Sequence, residues 1–164
     1  MDLIDLGVFP FSPFQRHAFT SGGLASRWKE LYPALFDDDD WRLAETQRAS
    51  GYHFFEWLGA VLIYNATGWH SLVEKYQFEF HERKAQILKG IDDRKLMAAI
   101  QHLKDNGRVQ GPDLLVYSQD LKDWYFCEVK GASDHLGTMQ KAIFEELGDV
   151  TGKADRLLRF METE

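Results

Sequence analysis

Two short apolar segments, with charged side chains in or directly beside them, constrain this sequence more than any other feature. The first, Leu114–Tyr117, follows Pro112 and is uniformly apolar, and the second, Trp124–Lys130, is rich in aromatic residues. Both patterns are typical of β-strands, and proline is tolerated at a strand entry. The polar stretch between them, residues 118–123, predicts a turn. We therefore expect a β-hairpin here.

The register of this hairpin decides which charged residues meet. If Ser118 faces Asp123 across the turn, Asp113 lies opposite Glu128 on the second strand. Directly opposed side chains of an antiparallel pair have Cβ atoms about 4.5–5.5 Å apart. That separation suits two carboxylates that share one metal ion.

A lysine joins the carboxylates on one face of the second strand. Glu128 and Lys130 are two residues apart and project together, whereas Cys127 and Val129 point the other way. Charged residues within an apolar strand are costly unless they are paired or bind a metal. Carboxylates suit Mg²⁺ or Mn²⁺, which activate water and polarise phosphoryl oxygens. Lys130 would orient that water or offset charge on the scissile phosphate, so the pattern indicates phosphodiester hydrolysis.

The residues around this site resemble the motif of a known nuclease superfamily. A proline and aspartate, a spacer and then Glu-Val-Lys resemble the PD-(D/E)XK nucleases. The longer string from Gly111 to Gln140 is similar to their VRR-NUC subfamily, the virus-type replication-repair nuclease domain: G-P-D-L-L-V-Y … F-C-E-V-K-G-x-x-D-x-L-x-x-x-Q. Two positions depart from that family. Ala132 stands where proline is usual, and Gly137 where serine is usual, although glycine is acceptable as a helix N-cap.

The resemblance implies a fold, a cofactor and a substrate. The fold is a restriction-endonuclease-like α/β core, in which helices flank a central mixed sheet. Asp113 and Glu128 would bind Mg²⁺ or Mn²⁺ together with the backbone carbonyl of Val129, and Lys130 would be the catalytic lysine. Gln140 is the helix residue that completes the motif. Similar domains act on branched or structured DNA and often pair as homodimers, each subunit cutting one strand.

A strongly apolar helix is predicted over residues 52–66, with Gly68 as its C-terminal cap. It contains one acid, Glu56, and a carboxylate on a helix that is buried on most sides needs a partner. Since PD-(D/E)XK folds often carry an extra glutamate on the first core helix, the resemblance makes Glu56 a candidate third metal ligand. Alternatively, Glu56 lies at the helix edge in water or pairs with Arg48. His53 is expected to be an ordinary core or surface histidine.

The segments that follow the hairpin predict further elements. A helix over residues 138–147 would place Gln140 on the same side as Phe144 and Leu147. Its amide would then point toward the sheet, where it could position the lysine, the water or a phosphate. Residues 154–161 are apolar at every third or fourth position, which predicts a closing helix, whereas the resemblance suggests a strand near there.

The N-terminal part of the chain lacks a sustained period. Residues 1–45 are expected to form an arm that packs on the core or on a partner subunit, and residues 46–164 the nuclease domain. Within the arm, a short helix is predicted over residues 26–35. The four aspartates at 37–40 are interpreted as the N-cap and solvated face of a helix.

Between the apolar helix and the hairpin, the sequence predicts a strand and a helical insertion. Residues 71–78 read in part as a strand, with Glu74 as a surface acid. Residues 81–106 predict one or two helices. Their basic side chains form either an ordinary solvated face or a surface that contacts phosphates.

Charge and hydropathy limit the classes of function. A net charge of −7 argues mildly against tight nonspecific DNA binding. It favours an alternative, a catalytically inert module that binds DNA or a protein partner, and the motif is also compatible with RNA cleavage. No apolar run approaches the roughly 18 residues of a membrane span, and no secretory signal is expected. The single cysteine, Cys127, fits a reducing compartment, so a cytoplasmic location is expected.

Overall fold

The computed structural model of the chain describes residues 2–36, 38–74, 76, 81–107 and 111–164, without the side chains of Asp38 and Asp39. Within these ranges the strands are β1 (Ile4–Phe11), β2 (His70–Val73), β3 (Leu114–Tyr117), β4 (Trp124–Lys130) and β5 (Arg156–Glu162). The α-helices are α1 (Pro13–Thr20), α2 (Gly23–Leu31), α3 (Asp38–Gln47), α4 (Phe54–Thr67), α5 (Glu82–Ile91), α6 (Arg94–Asp105) and α7 (Thr138–Thr151). The helical insertion predicted after β2 therefore consists of two helices, α5 and α6.

The strands form one mixed sheet in the order β1-β5-β4-β3-β2. β5 lies between β1 and β4 and is parallel to both, whereas β3 is antiparallel to both of its neighbours. Parallel neighbours need a crossover connection, and α7 provides it between β4 and β5. The expectation of an α/β fold with a central mixed sheet flanked by helices is confirmed at this level.

Two sets of helices cover opposite faces of the sheet. On one face, α1–α4 pack on strand residues that include Cys127 and Val129. Gly59 lets α4 approach closely, because a Cβ at this position would lie only 3.2 Å from Cγ2 of Val129. On the other face, α5, α6 and α7 pack on Leu115 and Phe126. Because side chains alternate along β3 and β4, these strands contribute residues to two separate hydrophobic cores.

The predicted hairpin is present with the predicted register. The Ser118 N–H donates to the Asp123 carbonyl at 2.9 Å, and Leu114 pairs with Cys127. One step farther from the turn, the same register places Asp113 opposite Glu128. The local turn therefore sets which carboxylates meet.

Residues assigned to the N-terminal arm contribute a strand and several core side chains. β1 is an edge strand paired with β5, and the Phe11 ring at its end contacts Phe54 and Phe55, with centroid separations of 5.8 and 5.0 Å. The helix predicted over residues 26–35 is α2, which begins earlier and ends at Leu31. Pro33 explains the earlier end, since the residue before a proline disfavours helical geometry.

The prediction of a closing helix near the C-terminus is wrong, because this segment forms β5. Leu158 and Phe160, two residues apart, are 1% and 2% exposed, which is the alternation of a strand. The apolar spacing of the segment fits both periods. Its partners β1 and β4 lie outside any local window, so pairing across the sheet decides the conformation.

The apolar helix is confirmed as α4. It begins at Phe54 and is followed by Gly68, whose φ of 74° is the left-handed conformation that glycine adopts without strain. Although α4 is strongly apolar, no helix in the described part of the chain is both long and apolar enough to cross a membrane.

The prediction of a solvated face for the aspartates at 37–40 is wrong for Asp40. Asp37 and the side chains of Asp38 and Asp39 lie outside the described residues. Asp40 is 2% exposed, and its Oδ2 lies 2.7 Å from Nη1 of Arg83. Lys84, one of the basic residues considered for phosphate contact, is 1% exposed and therefore cannot lie on a DNA-binding surface.

Candidate active site

The two carboxylates at the open end of the hairpin each accept a backbone N–H from the opposite strand. The Val129 N–H donates to Oδ2 of Asp113 at 2.8 Å, and the Asp113 N–H donates to Oε2 of Glu128 at 3.4 Å. Glu128 is 2% exposed. Two acids are thus brought together at the edge of the protein core, as the hairpin register predicts.

Lys130 and Gln140 both contact one oxygen of Glu128. The Lys130 ammonium lies 2.7 Å from Glu128 Oε1, and the Gln140 amide donates to the same oxygen at 2.8 Å. The oxygen of the Gln140 amide accepts a hydrogen bond from the Gly137 N–H at 3.1 Å, at the start of α7. Gln140 therefore links the helix N-terminus to the glutamate, which fixes the orientation of both.

The carboxylates of this site outnumber its positive charges. Burial raises the pKa of the Asp113 carboxyl well above its ordinary value, and the charges of Glu128 and Glu56 raise it further. Burial also raises the pKa of Glu128, against the opposing effect of Lys130. Burial alone would lower the pKa of Lys130, but the hydrogen bond to Glu128 and the charges of Glu128 and Asp113 together raise it. Lys130 is therefore an ammonium at neutral pH and cannot serve as a general base.

Glu56 lies in the first turn of α4, and its contact is with a histidine. His53 Nδ1 lies 3.5 Å from Glu56 Oε1. The sequence left open a pairing of Glu56 with Arg48. Arg48 instead contacts Glu45 at 3.1 Å. Glu56 nevertheless lies close enough to Asp113 to raise its pKa.

Glu74 is a residue of this region that the sequence interpretation placed on the surface. The register of β2 and β3 pairs Val73 with Leu114, so Glu74 is level with Asp113, and its N–H donates to the Asp113 carbonyl at 2.9 Å. Acids therefore occupy one row, at Glu74 just after β2, Asp113 just before β3 and Glu128 within β4. Aligning the segment after α4 antiparallel to β3 would have revealed this row.

His53 joins Glu74 to Glu56. Its Nδ1 lies 2.5 Å from Glu74 Oε1 as well as 3.5 Å from Glu56. Burial alone would lower the pKa of His53, but the hydrogen bonds to the two glutamates and their negative charges together raise it to about 9. The imidazolium therefore bridges the two carboxylates at neutral pH. A lone histidine beside aromatic residues gave no sequence signal for this role.

The donor set fits a hard divalent cation. Asp113 and Glu128 supply carboxylate oxygens, the ligands that such cations prefer, and the pKa of Asp113 is raised by burial and by the neighbouring negative charges of Glu128 and Glu56. Within the described residues, however, the side chains whose ligand atoms all lie within 4.8 Å of one another are His53, Glu56 and Glu74. Glu56 thus lies between two groups of acids. A ligand role for the Val129 carbonyl stays a prediction.

Gly131, which follows Lys130, is required for packing against α4. A Cβ at this position would lie 2.7 Å from Cε2 of Phe55, and the Phe55 ring is itself held between Phe11 and Phe160 at centroid separations of 5.0 and 5.8 Å. The glycine therefore allows the residue next to Glu56 to reach the end of β4.

Replacing Gly131 with alanine is expected to lower the free energy of unfolding by about 1–3 kcal/mol, because the Phe55 ring has little room to move. Urea denaturation would measure the change. Gly23→Ala is the matched control, since its Cβ would meet nothing closer than 3.9 Å. A Gly131→Ala protein as stable as the control would show that Phe55 can repack.

Comparison with models of known protein families, with curated proteins and with solved structures finds no match to this chain. The row of acids, together with Lys130 and Gln140, is therefore the basis on which a function is assigned.

Proposed function

We propose that this chain is a metal-dependent DNA endonuclease of the VRR-NUC type. The observation that carries the proposal is the convergence of four side chains, Asp113, Glu128, Lys130 and Gln140, at one end of the β3–β4 hairpin. Fixed contacts of 2.7 and 2.8 Å hold the lysine and the amide on Glu128. Such a set could hold a cation that activates water and could stabilise charge on a phosphodiester, which supports the proposal.

Each side chain has a distinct task in this proposal. Asp113 and Glu128, with Glu56 nearby, would hold Mg²⁺ or Mn²⁺, which supplies Lewis acidity and lowers the pKa of bound water. Lys130, as an ammonium, would orient the water or stabilise negative charge that develops on the phosphate. Gln140 would keep Glu128 in the orientation needed for ligation. The water oxygen would bond to phosphorus and release one proton to solvent, the ester P–O bond would break, and the leaving oxygen would take up a proton from solvent.

The proposal also includes a class of DNA substrate and an oligomeric state. Branched or structured DNA is the substrate class that the resemblance suggests, and a homodimer would place one site on each strand. The net charge of −7 fits an enzyme that recognises DNA shape at few phosphates more than one that coats a duplex. We expect cleavage to decline only gradually as salt rises, because the salt dependence of binding scales with the number of phosphate contacts, which is small in this proposal.

A cleavage panel tests the proposal. The purified protein would be incubated with labelled single strand, duplex, flap, four-way junction and RNA, with Mg²⁺, Mn²⁺ or EDTA. We expect cation-dependent cuts that are most frequent in the branched substrates and absent with EDTA. Absence of cleavage with every substrate and cation would contradict nuclease function. Cleavage confined to RNA would show that RNA, not DNA, is the substrate.

The acidic net charge favours a second candidate, an inert module that keeps the fold to bind DNA or a protein. Calorimetry separates the two candidates, because an inert module has no need to bind a cation. Binding of Mn²⁺ that is lost in Asp113→Asn would support the enzyme. Absence of binding at millimolar Mn²⁺ would favour the module.

A further inference from the structure

A buried lysine contacts the backbone beside the candidate site. Lys84 of α5 is 1% exposed, and its ammonium donates to the carbonyls of Val73 at 2.8 Å and Glu74 at 2.9 Å. Its Nζ also lies 3.6 Å from Oδ1 of the buried Asp40. The charged end of this lysine therefore lies inside the protein, at the corner where β2 ends.

Packing alone does not explain this lysine. An apolar side chain of similar volume commonly stabilises a core as well as a buried ion pair or better, because removing two charges from water is costly. Lys84 forms two short hydrogen bonds with successive carbonyls, whereas its distance to Asp40 is long. Two short hydrogen bonds therefore tie Lys84 to the backbone of residues 73 and 74.

The backbone at this corner has an unusual conformation. Glu74 has a φ of +48°, in the left-handed region that residues other than glycine rarely adopt. Its N–H donates to the Asp113 carbonyl at 2.9 Å, and the buried Tyr76 hydroxyl donates to the Pro112 carbonyl at 2.7 Å. Lys84 and these two hydrogen bonds hold the corner to the strand entry that carries Asp113.

We propose that Lys84 is a positioning residue for the candidate site, and that Glu74 is a functional carboxylate of that site. Lys84 fixes the backbone of Glu74 in its left-handed conformation, which places the carboxylate 2.5 Å from His53 and, through that ring, next to Glu56. Because Glu74 takes the shorter contact to His53, Glu56 stays available to a cation near Asp113, which raises the affinity of the site for a divalent cation. The role in cation binding rests on the proposed nuclease function.

Two substitutions test this proposal, with Mn²⁺ as the probe. Lys84→Met keeps the length of the side chain and leaves Asp40 paired with Arg83 at 2.7 Å. Glu74→Gln keeps the fold and removes only the charge of a partly exposed side chain. Lys89→Met, an exposed position on the same helix, is the matched control. Calorimetry would measure Mn²⁺ affinity, and NMR amide exchange would measure protection of the Glu74 N–H.

We expect Lys84→Met and Glu74→Gln each to weaken Mn²⁺ binding about tenfold, the loss typical when a residue that orients a ligand is removed. In Lys84→Met the Glu74 amide should exchange at least about tenfold faster relative to amides of β4 and β5, and Lys89→Met should change neither quantity. If the role of Lys84 were merely structural, Lys84→Met would lower the melting temperature but leave the Mn²⁺ affinity and the exchange of the Glu74 amide unchanged. That result would overturn the proposal.

The two readouts separate this inference from the proposed function. If the wild-type protein bound no Mn²⁺, the proposed function and the role of Glu74 in cation binding would both fail, while amide exchange would still decide the positioning role of Lys84. If the wild-type protein bound Mn²⁺ and Glu74→Gln bound it equally well, the nuclease proposal would stand and this inference would be rejected. That second comparison holds even if Lys84→Met fails to fold.

Discussion

Asp113→Asn is expected to lose cleavage activity by about 10³-fold or more while the protein becomes more stable. The wild-type carboxylate is disfavoured by burial and by the charges of Glu128 and Glu56. The neutral amide removes both effects, and its oxygen can still accept the Val129 N–H. We expect the free energy of unfolding at neutral pH to rise by about 1–2 kcal/mol, a common result when a functional site is relieved of repulsion.

The pH dependence of this gain has a defined sign. The native pKa of Asp113 lies well above the ordinary value of 3.8, so the native state binds this proton more tightly than the unfolded state does. The stabilisation from that proton is fully present below pH 3.8 and is lost as the pH rises through the native pKa. The advantage of Asp113→Asn over the wild-type protein should therefore grow as the pH rises above about 4.

Thermal melts with and without Mn²⁺ would measure both effects. The wild-type melting temperature should rise with Mn²⁺, because a ligand that binds only the native state stabilises it, and that of Asp113→Asn should not. Asp149→Asn, an exposed position in α7, makes the same change of charge and serves as the control. A destabilised Asp113→Asn protein, or one that cleaves at the wild-type rate, would contradict this account.

Local sequence information was sufficient for one half of the site. The polar turn sets the hairpin register, so the meeting of Asp113 with Glu128 followed from counting residues away from Ser118. The helical period likewise placed Gln140 toward the sheet, where it donates to Glu128. Both inferences depend on contacts within one hairpin or one helix, whose geometry is regular.

The other half depends on contacts between distant segments. Glu74 meets Asp113 only because β2 pairs with β3, and His53 meets Glu74 only because α4 begins beside the end of β2. Glu74 and His53 also have positive φ values, 48° and 62°, and a sequence pattern does not predict this conformation for glutamate or histidine. Like the pairing of β5, these features are fixed by tertiary structure.

Lys130→Met should separate catalysis from cation binding, in contrast to Asp113→Asn. The Lys130 ammonium lies 2.7 Å from Glu128 Oε1 and partly neutralises it. Removing that charge should decrease the cleavage rate by about 10²–10³-fold, the usual cost of losing one group that stabilises the transition state. The affinity for Mn²⁺ should stay the same or increase, because Glu128 becomes fully available to a cation.

Stability gives a second test of the same substitution. Without Lys130, the buried Glu128 keeps the Gln140 amide but loses its cationic partner, so the free energy of unfolding should fall by about 1–3 kcal/mol. Millimolar Mn²⁺ should restore much of that loss, since the cation takes the place of the ammonium beside Glu128. Lys122→Met, with a side chain 83% exposed in the hairpin turn, controls for the loss of one lysine. If Lys130→Met lost Mn²⁺ binding together with cleavage, Lys130 would be organising the carboxylates rather than acting on the phosphate.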